Sequence, residues 1–130
     1  MLKNALISIV DDDESVREAM QALMKSLGFA AEAFASAEEF LGSDSRNRTA
    51  CLITDMQMPG LTGLGLHDRL VASGRPVPTI IITAYPDERA RARALQAGVL
   101  CYLVKPFNES DLLACIRSIL DRRSDQHRGS

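Results

Sequence analysis

The sequence has no surplus of positive charge: 15 Lys and Arg stand against 17 Asp and Glu, a formal net charge of -2. Without a bulk positive field nothing gathers nucleic acid or anionic lipid, so no direct nucleic acid binding by this chain is expected. CxxC pairs are also missing. The three cysteines, Cys51, Cys101 and Cys115, lack metal-type spacing, and two lie in apolar, strand-like runs, which reads as small core residues in a reducing cytosol. Nor is there a long hydrophobic run. The opening MLKNALISIV holds a short apolar segment and passes straight into acids, unlike a signal peptide or a membrane span. A soluble, cytoplasmic protein with no membrane partner is expected. Repeats are absent, and 130 residues suit one domain around one continuous core.

What is present is a strict alternation of strand and helix patterns. Residues 5–10 read as a buried strand that ends on Asp11-Asp12-Asp13. Val16, Ala19, Met20, Leu23, Met24 and Leu27 then fall on one helical face, and Gly28 closes that helix. Residues 30–35 predict a second strand; Ser36 and Glu39 form a capping-box signature before a short helix, and residues 42–49 a polar loop. The third strand is expected at 50–54 and the third helix at 63–73, carrying Leu64, Leu66, Leu70 and Val71. A strand at 79–82 is apolar on both faces, as a parallel strand covered by helices would be. Helix 4, at 86–97, offers mostly alanine with Leu95 inward and should be loosely held. Strand 5 is expected at 101–104 and helix 5 at 110–122, leaving 123–130 as a flexible tail or the start of a linker. Five such pairs imply an α/β fold, a doubly wound five-stranded parallel sheet of flavodoxin-like order, whose ligands sit at the carboxyl ends of the strands.

Those ends carry a polar set: Asp11, Asp12 and Asp13 after the first strand, Asp55 after the third, Thr83 after the fourth and Lys105 after the fifth. Two like charges about 4 Å apart repel by about 4 kcal/mol at an effective dielectric of about 20, so converging acids require a cation. Lys105 supplies one charge. Carboxylates without a His or Cys ligand favour Mg²⁺ or Mn²⁺ over zinc, and Mg²⁺ keeps positions open for water or a phosphoryl oxygen. Singly, each residue is unremarkable: an acid at a strand end is commonly a helix N-cap, and a Lys-Pro a turn. Their joint placement carries the argument.

In V10-D-D-D-E-S-V-R17, D55-M-Q-M-P-G-L-T-G63, Thr83-Ala84 and G98-V-L-C-Y-L-V-K-P-F107 the sequence resembles the response-regulator receiver domains of bacterial two-component systems over residues 5–121. Its local wording is similar to the nitrogen-fixation and nodulation regulators. The resemblance implies Asp55 as the phosphorylated residue; Asp12, Asp55 and the Gln57 carbonyl as metal ligands with Asp11 acting through metal-bound water; Asp13 outside that set; and Thr83 and Lys105 on the phosphoryl group. It further implies a cis Lys105-Pro106 bond, and Thr83 and Tyr102 as the switch. A sensor histidine kinase or phosphotransfer protein would be the donor, and the domain would catalyse its own modification without being a turnover enzyme. The face of helix 4, strand 5 and helix 5 would respond, by homodimerisation or by control of transcription. Gln57 and Tyr85 would flank the path of hydrolytic water.

Three alternatives compete. A haloacid-dehalogenase-like phosphatase would use Asp11 and Asp13, but no adjacent acidic pair follows Lys105. A flavodoxin-like cofactor binder would need a Ser, Thr and Gly loop where three acids stand. A degenerate receiver kept for dimerisation would have lost the acids, threonine or lysine that are present here.

Overall fold

The computed structural model describes residues 5–129, with side chains described for residues 5–122. Five parallel strands, β1 (Leu6–Val10), β2 (Ala30–Phe34), β3 (Thr49–Asp55), β4 (Thr79–Thr83) and β5 (Cys101–Val104), form one sheet in the order β2-β1-β3-β4-β5. Helices α1 (Glu14–Ser26), α2 (Ala37–Leu41), α3 (Gly63–Ala72), α4 (Glu88–Gln96) and α5 (Glu109–Gly129) alternate with them. This is the doubly wound, flavodoxin-like topology expected, with winding reversed between β1 and β3.

The alternation of side chains along each strand sorts the helices onto two faces. Ile7, Ile9, Cys51, Ile53, Ile80 and Ile82 pack on one side with Met20 and Met24 of α1 and Leu112, Ile116 and Ile119 of α5. On the other, Val10 and Leu52 meet Phe40 of α2 and Leu66 and Leu70 of α3, while Ile81 meets Leu64 and Ala94. Phe34 and Phe40 stack edge to face with centroids 5.4 Å apart.

Several local details differ from the pattern reading. The loop at 42–49 contains a 3₁₀ turn, Asp44–Asn47, because Ser45 is drawn inward to Glu32 and its carbonyl accepts from Thr49 Oγ1 at 2.6 Å. In the capping box Ser36 Oγ accepts the Glu39 N–H at 3.0 Å, but the Glu39 carboxylate returns to the Ala35 N–H. Helix α4 starts at Glu88, because the Asp87 carboxylate caps the Arg89 and Ala90 N–H groups; that phase buries Ala94 and leaves Leu95 outside. Helix α5 continues to Gly129, past the end expected at 122, since no glycine or proline interrupts 109–128. Side chains of the expected tail at 123–130 lie outside the described residues.

Helix α3 buries His67 rather than Val71, which is exposed. The His67 ring abuts Gly98, its Nδ1 has no hydrogen-bond partner, and the nearest acid, Asp68 Oδ1, is 3.9 Å away. Desolvation lowers the His67 pKa, outweighing the opposing pull of Asp68. A histidine depressed in the fold is protonated preferentially in the unfolded chain, so stability is lost as pH falls below the unfolded value of about 6.5. His67→Leu is therefore expected to raise the urea midpoint at neutral pH, by about 1–3 kcal/mol of relieved polar burial. It should also flatten the decline between about pH 6.5 and 5. An unchanged slope in denaturation at several pH values would refute this role.

Candidate functional site

Hydrogen bonds and packing at the carboxyl rim bring β1, β3, β4 and β5 residues together. Asp11 is buried, and its backbone is fixed on both sides: its N–H donates to Phe34 O at 3.1 Å and its carbonyl accepts from Arg17 Nη1 at 2.8 Å. Asp55 ends β3 on the face shared with α1 and α5, two residues beyond Ile53. Carboxylate oxygens of Asp11, Asp12 and Asp55 all lie within 4.8 Å of one another. Lys105 Nζ reaches between two of them, 3.6 Å from Asp11 Oδ2 and 3.5 Å from Asp55 Oδ1. The Lys105-Pro106 bond is cis, and the Lys105 N–H donates to Thr83 O at 2.8 Å.

Charge at the rim is therefore under-compensated: three carboxylates face one ammonium. Burial pushes the Asp55 pKa up; Lys105 pulls it down, while Asp11 and Asp12 push it up again, and the net direction is upward. An all-oxygen donor set with no histidine or cysteine suits a hard divalent cation, which would relieve that imbalance. Asp13 stands apart as the N-cap of α1, its Oδ1 accepting from the Ser15 and Val16 N–H groups at 2.8 and 3.2 Å.

Thr83 is fully buried. Its hydroxyl donates to Gln57 Oε1 at 2.8 Å and accepts the Tyr85 N–H at 3.0 Å, so both residues two positions beyond Asp55 and Thr83 are tied to the same oxygen. Tyr102 packs against Ile81, Ala94 and Val99 with its hydroxyl buried and unpartnered, not at the surface. Desolvation foremost, then Asp87, raises its pKa. Beside Asp55, a cavity of about 330 Å³ opens between α1 and the β5–α5 connection, walled by Val16, Ala19, Met20 and Phe107.

Two supporting residues escaped sequence reasoning. A Cβ on Gly63 would collide with the Asp55 carbonyl oxygen and crowd the Met56 backbone, so glycine is required for α3 to start against the end of β3. The signal was the second glycine of the Met-Pro-Gly segment, which pattern reading treats as a helix start. Glu38 of α2 crosses to the same segment, its carboxylate accepting the Leu61 N–H at 3.3 Å beside Gly60, whose φ is +78°. Such a carboxylate contact is visible only once α2 is placed.

Topology and rim together define a class: a doubly wound α/β domain that gathers carboxylates around a cation at the carboxyl edge of its sheet. The chain belongs to the response regulator receiver domain family, which matches residues 7–117. Phosphoryl transfer to an aspartate is the general function of that family. Response regulator protein TodT of Pseudomonas putida is 38% identical over 116 residues, covering 89% of this chain and 51% of TodT. Transcriptional regulatory protein FixJ of Azorhizobium caulinodans is 34% identical over 122 residues, covering 94% of this chain and 58% of FixJ. Nodulation protein W of Bradyrhizobium diazoefficiens is also a relative, at 35% identity. The chain thus spans about half the length of the curated relatives it matches. Among solved structures, response regulator StyR superposes with a TM-score of 0.87 at 36% identity over 97% of this chain and 64% of that one. FixJ-N superposes with a TM-score of 0.83 at 30% identity over 91% and 94%.

Two variants probe the rim. Gly63→Ala is expected to cost about 1–3 kcal/mol, as overpacking does, seen as a lower urea midpoint. Retention of the wild-type midpoint would show that the Asp55 backbone yields freely. Asp55 has a raised folded pKa, so its ionised form destabilises the fold above that pKa and the penalty is relieved as pH falls through it. Asp55→Asn should accordingly stabilise the metal-free protein at neutral pH and reduce the thermal shift on adding Mg²⁺; a lowered melting temperature would contradict the electrostatic account.

Proposed function

We propose that Asp55 accepts a phosphoryl group from the phosphohistidine of a sensor histidine kinase or phosphotransfer protein. One observation carries the reading: three carboxylates cluster at the end of a parallel sheet, and two of them, Asp11 and Asp55, meet the Lys105 ammonium. Asp12, Asp55 and the Gln57 carbonyl would hold Mg²⁺, or Mn²⁺ in its place, with Asp11 acting through metal-bound water. When bound, the ion neutralises charge on the phosphoryl oxygens.

The remaining work falls to this chain's own groups. An Asp55 carboxylate oxygen attacks phosphorus, the phosphorus–nitrogen bond to the donor imidazole breaks, and its electron pair stays on that nitrogen. Lys105, held between Asp11 and Asp55, neutralises charge building on the transferred oxygens. Thr83 donates its hydroxyl to one of them. The domain thereby catalyses its own phosphorylation, and water attacking the aspartyl phosphate later returns the Asp55 carboxylate and releases inorganic phosphate, so the domain acts as a signalling receiver whose substrate is itself.

The new charge at Asp55 biases Thr83 and Tyr102, and through them the face of α4, β5 and α5. Two features support that route. Helix α4 buries one side chain, Ala94, and so is weakly anchored. Of the five exposed large hydrophobic residues among the described ones, four (Tyr85, Leu95, Leu100 and Val104) lie on or beside α4 and β5, where a second copy or an output partner would cover them. Control of transcription in the cytoplasm is the output we infer, since one relative of this chain, FixJ, is named a transcriptional regulatory protein. In this reading residues 1–122 are the receiver and 123–130 a tail or the start of a linker. No described helix is long and apolar enough to cross a membrane.

The phosphatase alternative loses its acid, because Asp13 is engaged as the cap of α1. Incubation with acetyl phosphate and Mg²⁺ should add one phosphoryl mass that maps to Asp55, is absent in Asp55→Asn and requires the divalent ion. Labelling of Asp11, or sustained ester hydrolysis without an acyl phosphate on Asp55, would overturn the proposal.

A further inference from the structure

We propose that the Gln57 side chain is a resting-state latch on Thr83, competing with the phosphoryl group for a single hydroxyl proton. This rests on the reading of Asp55 as phosphoacceptor and Thr83 as its contact.

The Thr83 hydroxyl has one proton to give, and it goes to Gln57 Oε1 at 2.8 Å. Its acceptor side is filled by the Tyr85 N–H at 3.0 Å. A second acceptor, Tyr85 O at 3.3 Å, is more distant, and Thr83 has no exposed surface from which water could replace a lost partner. A buried hydroxyl left with a poorer acceptor is costly, so Thr83 gives up Gln57 only when a stronger acceptor than Tyr85 O is offered. A phosphoryl oxygen on Asp55 is such an acceptor. Gln57 itself is exposed, so once released its amide is satisfied by solvent. The latch and the phosphoryl contact are mutually exclusive, since one O–H cannot donate fully to both. Gln57 therefore stabilises the resting state selectively, and only such differential stabilisation shifts a two-state equilibrium. The side chain acts independently of its own backbone carbonyl, which is the group assigned to the metal. Gln57 is thus a positioning residue: it acts through Thr83 and not on the reacting atoms.

The test is a double-mutant cycle in phosphorylation by acetyl phosphate at saturating Mg²⁺. Gln57→Met keeps the length of the side chain and the backbone carbonyl but removes the acceptor. In the wild-type background it should raise the phosphorylation rate constant about two- to tenfold, the size of one net hydrogen bond. In a Thr83→Val background, where there is no proton to hold, the same substitution should have no effect on the rate. The Mg²⁺ concentration giving half-maximal rate should stay unchanged between wild type and Gln57→Met, a readout that damage to the metal ligands would move. Equal acceleration in both backgrounds, no acceleration in either, or a shifted Mg²⁺ requirement would overturn the latch while leaving Asp55 as the acceptor. Failure of wild-type Asp55 to accept any phosphoryl group would overturn the functional reading and the latch together.

Discussion

Repulsion among Asp11, Asp12 and Asp55 is the constraint around which the rest of this domain is arranged. Carboxylates this close are tolerable only where a cation stands among them, and the fold provides one, Lys105, from the far end of the chain. One ammonium among three acids leaves the rim short of positive charge, which is what makes it receptive to a divalent ion. The surrounding structure holds the acids in place against their mutual push. Arg17 and Phe34 secure the Asp11 backbone, and the close approach of Gly63 sets the end of β3. Stability is given up locally so that chemistry is available.

The same economy of contacts appears on the opposite side of the rim. Where α1 and α5 cover the sheet with large aliphatic side chains, α4 covers it with alanine. A small side chain contributes little buried area, so the helix beside Thr83 and Tyr102 is the one least tied to the core. Rigidity at Asp55 and looseness at α4 are thus written into residue size.

Much of this was legible in the chain. Strand-ending acids, the lysine before Pro106 and the strict alternation of periods led to the sheet and to most of the site, because burial on both faces makes parallel strands conspicuous as short apolar runs. The failures have specific causes. His67 sits at an inward position of α3, but a polar residue on a helix carries no signal of burial until the neighbouring Gly98 turn is placed against it. Leu95 was assigned inward because periodicity cannot fix helix phase; Asp87, by capping two N–H groups, does so and turns Ala94 to the core. Gly63 and Glu38 act through contacts between elements distant in sequence, and such contacts have no local signature.

A parallel sheet places every carboxyl end at one edge, and here the groups at that edge come from strands that begin at Leu6 and finish at Val104. No single strand with its following loop contains the assembled constellation. A chain in which β5 is undocked consequently presents these aspartates without the Lys105 ammonium. The charge arrangement at this edge is complete only with β5 in the sheet, so an intact rim reports on an intact fold.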